Sequence, residues 1–211
     1  MVRTPTRPTG FSLDVPESWI EFDIWRATRT GDLARLVDAR IHEHPELAPQ
    51  RGPLLKLLRE VAAEAERNEA VYCATLSEVV EPAGSGGRSS DDGVLAATAM
   101  VFHTRGSFDE RQNTAEAIAS QVTAMAPVNG SPHWRIVELV ELPAGRAART
   151  RGVERVTGRA QSADLVMMQT LVPVPGGDGV LNVALTSPQV DLAEPMLHLF
   201  DAITSTLAWT S

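Results

Sequence analysis

The most ligand-like group of side chains in this chain is His42-Glu43-His44. Two imidazoles share a metal on a helix when they stand four residues apart, whereas a spacing of two turns them about 200° from each other. The triplet therefore reads as an exposed helix end before Pro45. His103, His133 and His198 are scattered, none at the local spacing of a zinc site. Cys73 is the single cysteine, which excludes an intrachain disulfide framework and a cysteine-built zinc centre. It lies in an apolar run, where a small buried hydrophobe fits better than a nucleophile. No glycine-rich turn leads into Lys-Ser or Lys-Thr, and Lys56, the only lysine, falls inside a helical pattern. Gly84 to Gly87 is followed by Arg88-Ser89-Ser90-Asp91-Asp92 instead of a helix start, and no serine occupies a Gly-x-Ser-x-Gly elbow. No catalytic set, metal or cofactor is expected from these patterns.

One cluster has more content. Between Gly145 and Ala160 the chain carries Arg146, Arg149, Arg151, Arg155 and Arg159 against Glu154 alone, within a molecule of formal charge -8. A period of two puts Arg151, Arg155 and Arg159 on one face of a strand. If the preceding strand folds back across Pro143 to Thr150, Glu138 stands opposite Arg155 or its neighbour, and the arginines form cross-strand ion pairs of about 0.2 to 1 kcal/mol each. The competing reading is a surface that attracts anions or docks a partner. Arg151, Arg155 and Arg159 are thus the candidate partner-binding residues, with the Gly-, Ser- and Asp-rich loop at 81–93 as a second candidate contact.

The elements that must position these groups follow from hydrophobic spacing. Residues 1–10 read as a flexible tail. Phe11, Leu13 and Val15 alternate on one face of a peripheral strand that Pro16 ends. Trp19, Ile20, Phe22, Ile24 and Trp25 crowd together as an aromatic plug for one end of the core. Leu33, Leu36, Val37 and Ile41 mark one helix, and Leu54, Leu58, Val61 and Ala65 a second that starts near Pro53. Strands are expected over Ala70 to Val80 and Val94 to Phe102, then a helix through Ala115, Ile118, Ala119, Val122 and Met125. Four more strands follow, at about Trp134 to Leu142, Val153 to Arg159, Leu165 to Val174 and Val180 to Thr186, the last two joined by Pro175-Gly176-Gly177-Asp178-Gly179. A long final helix carries Leu192, Met196, Leu199, Phe200, Ile203 and Leu207. Several strands are apolar on both faces, so the expected fold is α+β, a three-layer α/β/α sandwich around a mostly antiparallel sheet of six to seven strands.

Composition sets the outer bounds. At 211 residues, a chain of this size buries roughly 70% of its unfolded surface, so a core forms without disulfides. With 43% hydrophobic residues it is not a disordered chain. Its 27 acidic against 19 basic residues disfavour nucleic acid or anionic lipid as partners, and no stretch approaches the roughly 20 apolar residues of a membrane span.

The opening Phe11-Ser12-Leu13-Asp14-Val15-Pro16-Glu17-Ser18-Trp19 resembles the start of domains in the PsbP-like superfamily. The ending resembles it too, where Val180-Leu181-Asn182-Val183-Ala184-Leu185-Thr186-Ser187-Pro188 runs towards a helix with Leu199-Phe200-Asp201-Ala202-Ile203. The resemblance implies a single α/β/α domain over 11–211, here with a helical insertion at about 30–68. That superfamily includes extrinsic photosystem subunits, a Ran-binding protein and bacterial lipoproteins, so it implies binding and assembly and carries over no catalytic residues. The function expected from the whole is a non-catalytic cytoplasmic module that acts through a protein partner, without nucleic acid or membrane insertion. The alternatives are a ligand-binding protein or enzyme with a pocket near Trp19, Trp25 and Trp134, and an accessory chaperone of a secretion system.

Overall fold

Every second residue from Val166 to Val172 is at most 1% exposed, while the residues between keep some surface, as in a strand covered more heavily on one face. The structure, a computed structural model, describes residues 8–21, 23–24, 32–79, 94–106, 112–124, 134–157, 162–177 and 179–211. Among them are the strands β1 (Gly10–Ser12), β2 (Trp19–Glu21), β3 (Ala70–Val79), β4 (Val94–Arg105), β5 (Trp134–Leu142), β6 (Gly145–Thr157), β7 (Ser162–Pro173), β8 (Gly179–Ser187) and β9 (Ala208–Thr210). The helices are α1 (Asp32–Glu43), α2 (Arg51–Arg67), α3 (Ala115–Ala124) and α4 (Ala193–Thr204). Seven strands form one sheet in the order β2-β3-β4-β8-β7-β6-β5, and β1 pairs with β9 in a separate two-stranded sheet. No described helix is long and apolar enough to cross a membrane.

The chain divides into two compact units, one of Met1–Pro16 with Val101–Ser211 and the other of Glu17–Met100. In the first, the ladder sets Ala148 beside Leu171 on one face of the sheet and Arg149 beside Thr170 on the other. Ile118 of α3 packs on Ala148, Leu171 and Val180, whereas α4 meets the opposite face through Thr204 and Arg149. Helix, sheet and helix thus make three layers.

In the second unit, α1 and α2 bring Leu33, Val37, Leu54, Leu58 and Ala62 into one core with Leu47 of the intervening 3-10 turn, Pro45–Gln50. These are the two helices expected near residues 30–68. Pro45 ends the α-helical hydrogen bonding of α1, and Pro53 fits the first turn of α2, where its missing N–H leaves no bond unmade.

Four expectations are corrected. Trp19 and Ile20, read as part of a plug, form strand β2, with Trp19 opposite Leu76 of β3. Phe22 and Trp25 lie outside the described residues. The first strand stops at Ser12, though Leu13 is buried and Val15 half-buried, as the alternation required. The last helix starts at Ala193, so Leu192 stands exposed in a preceding 3-10 turn, and it stops at Thr204. There the Thr206 hydroxyl donates to the carbonyl of Ile203 at 2.7 Å and accepts the backbone N–H of Asp14 at 2.8 Å, which competes with helix continuation. Leu207 is fully buried beyond it, and the chain turns into β9. Finally, β6 begins at Gly145, eight residues before the expected Val153.

Candidate functional site

The early start of β6 follows from the turn that precedes it. Pro143 and Ala144 suffice to reverse the chain because Gly145 adopts φ 110°, a left-handed value that only glycine takes without strain. The C-terminal segment holds this turn on both sides. The Ala144 N–H donates to Leu207 O at 2.9 Å, and its carbonyl accepts Trp209 Nε1 at 2.7 Å. Hairpin pairing then runs unbroken from Leu142 opposite Gly145 to Trp134 opposite Val153. Sequence reading missed Gly145 to Gly152 because alanine and arginine are weak strand formers; the signal present was the Pro-Ala-Gly turn.

The longer strand resets the register. Glu138 faces Arg149 and not Arg155. Its carboxylate is reached diagonally by Arg151, whose Nε stands 3.2 Å from Glu138 Oε1 as an ion pair but not along its N–H, so that donor makes no hydrogen bond. Arg155 lies directly across from Asp164 of β7, with Nε 3.1 Å from Oδ1. Arg146 bridges Glu116 of α3 at 2.9 Å and Glu141 of β5 at 3.3 Å. Each described arginine of β6 therefore has an acidic partner. Arg159 lies outside the described residues, as do the 81–93 loop and His133.

Arg149 is the arginine whose place in the fold the sequence did not reveal. It is 4% exposed under α4, where Nε donates to Thr170 Oγ1 at 3.2 Å, Nη2 to Thr204 Oγ1 at 2.8 Å, and Nη1 pairs with Asp201. Its guanidinium fastens the last helix to the sheet.

With the arginines paired, the exposed feature of this region is strand β5. It is the outer strand of the sheet, and among the described residues no strand pairs with its free side. Ile136 is 43% and Leu139 39% exposed, on opposite faces of the strand. Val137 and Leu139 also floor an open groove whose wall is Glu116, Ala119, Ser120 and Thr123 of α3. Arg135 is anchored to Glu154 by two hydrogen bonds, Nε to Oε1 at 2.7 Å and Nη2 to Oε2, and this pairing raises the arginine pKa further.

The remaining chemistry-bearing groups lie elsewhere. Cys73 is buried, and burial pushes its thiol up to about 12. His42 lies in the last turn of α1 and His44 just beyond its end, two residues apart. Trp19 belongs to one unit and Trp134 to the other. Val37, Leu47, Leu54, Leu58, Arg40 and Ser77 line a space of only about 10 Å³ in the second unit, too small for a ligand. Among the described residues no three His, Cys, Asp or Glu side chains converge as metal ligands.

No family model and no curated protein matches the chain. Among solved structures the chain is similar to LpqN of Mycobacterium tuberculosis, described as involved in cell envelope biogenesis, with TM-score 0.47 and 11% identity over 99% of this chain and 90% of that one.

Proposed function

We propose that this protein is a non-catalytic binding module of the cytoplasm that works by taking an extended strand of a protein partner onto β5. The observation that carries the reading is the β5 edge. It is nine residues long, it lacks proline and lysine, and it exposes Ile136 and Leu139 on its two faces. Such an edge presents unpaired backbone N–H and C=O groups together with side-chain specificity from alternate positions, the requirements of strand addition. The partner strand is apolar at alternate positions, with an acidic residue opposite Arg135 and a basic one opposite Glu141. The resemblance of both chain ends to the PsbP-like superfamily, whose members bind and assemble, supports the reading. The lone buried Cys73 supports a reducing compartment.

A photocrosslinking amino acid placed at Leu139, with Lys56 on the exposed side of α2 as the control position, tests this in living cells of the source organism. A covalent protein adduct at 139 and none at 56 is the expected result. No adduct at 139, with the folded protein present, refutes it.

A further inference from the structure

The β5 sequence is close to complementary with itself when read antiparallel. Antiparallel strands joined about a two-fold axis perpendicular to the sheet must be centred on a residue, because paired side chains share a face. Centred on Glu138, the nine residues Trp134-Arg-Ile-Val-Glu-Leu-Val-Glu-Leu142 match a second copy of themselves at every position except the centre, where Glu138 meets its own copy. Trp134 meets Leu142, Arg135 meets Glu141, Ile136 meets Val140, and Val137 meets Leu139. Moving the centre to Val137 sets Glu138 against Ile136 and Arg135 against Leu139. Moving it to Leu139 sets Glu138 against Val140 and Glu141 against Val137. Of these centres only Glu138 pairs apolar with apolar and opposite charges with each other at all four flanking pairs, leaving Glu138 against its own copy as the single like pair.

The ion pairs already present complete the match. Glu154 holds Arg135, and Arg146 holds Glu141 while reaching Glu116. These side chains share the α3 face of the sheet. Joining the copies therefore makes an unbroken row of alternating sign, Glu154, Arg135, then Glu141, Arg146 and Glu116 of the second copy, and the same row in reverse. At the axis itself the two Glu138 carboxylates approach on the opposite face, each neutralised by its own Arg151. Left bare, an apolar edge of this length is a template for open-ended association, and a two-fold pairing closes it.

We infer that the strand received by β5 is β5 of a second copy of this chain, paired antiparallel about Glu138, so that two seven-stranded sheets join into one. The inference rests on the strand-addition reading and names its occupant. Sedimentation equilibrium of the full chain tests it. Wild type is expected at twice 22.7 kDa at micromolar concentration. Ile136→Lys, which places an ammonium against Val140 of the other copy, and Arg151→Glu, which gathers four carboxylates at the axis, are each expected to weaken association at least 100-fold with an unchanged circular dichroism spectrum.

Cysteine crosslinking gives the register independently of those variants. Glu138→Cys sits opposite its own copy at about 5 Å and forms a disulfide-linked dimer, whereas Glu141→Cys is six residues, about 20 Å, from its copy and does not. The native Cys73, at 1% exposed, stays out of the reaction. A monomeric wild type overturns the self-pairing, as does a dimer that survives Ile136→Lys without crosslinking at 138. If either substitution prevents folding, the 138 crosslink decides. In cells, an adduct at Leu139 to a different protein refutes the second copy while leaving strand addition standing, and no adduct refutes both.

Discussion

Arg149 on β6 and Asp201 on α4, 52 residues apart in the chain, form an ion pair across the layer boundary in which the arginine is buried and the aspartate keeps half its surface in water. The asymmetry of that pair makes a prediction. Asp201→Ala leaves a buried guanidinium without its counter-charge and is expected to cost about 2 to 3 kcal/mol, somewhat less than for a pair buried on both sides. Arg149→Met removes the charge and keeps apolar bulk, so about 1 kcal/mol is expected, because the stranded carboxylate is solvated. Urea denaturation of both variants compares them; a larger loss for Arg149→Met than for Asp201→Ala contradicts the assignment.

Gly152 tests the β5–β6 pairing. A Cβ at this position would stand 1.9 Å from the carbonyl oxygen of Trp134 and 2.8 Å from its carbon, both backbone atoms of the neighbouring strand. Neither can swing aside as a flexible side chain could. Gly152→Ala is expected to destabilise by roughly 2 to 3 kcal/mol and to speed amide hydrogen exchange in β5 ahead of the rest of the sheet.

Cys73 serves as an internal reporter. Its thiol is 1% exposed and pushed up to about 12 by burial, so at pH 8 almost no thiolate is present in the native state. Modification by a disulfide reagent is expected only as fast as the surrounding structure opens, and to rise with added urea. Rapid stoichiometric labelling of the native protein is the contrary result.

Asp38 carries a pH dependence. Two hydrogen bonds from Arg51, Nε to Oδ1 at 2.6 Å and Nη2 to Oδ2 at 2.9 Å, hold its carboxyl below the ordinary 3.8. A carboxyl depressed in the folded state stabilises above its unfolded value, and that contribution disappears as pH falls through the folded one. The pair is exposed, so the effect is small and salt-sensitive. Carboxyl-carbon NMR is expected to show Asp38 titrating below 3.8, and Arg51→Gln to return it upward; an unchanged titration in the variant contradicts the pairing.

The kinds of elements and most of their buried faces are legible in local residue spacing. The stripes Leu54, Leu58, Val61 and Ala65 in α2, and Met196, Phe200 and Ile203 in α4, are buried as their spacing required, since an amphipathic period is a local property. The three-layer arrangement followed from strands apolar on both faces. Tertiary structure decided what periodicity does not encode. Strands of three residues, β2 and β9, have too few positions for a period and exist only through backbone pairing with β3 and β1. Register was decided the same way. Five arginines between Gly145 and Ala160 read alike in one dimension, yet the turn at Gly145 sends Arg149 beneath α4 and pairs Arg151 with Glu138 and Arg155 with Asp164. Their partners come from β5, β7 and α4, and only the fold brings those segments within reach of a side chain.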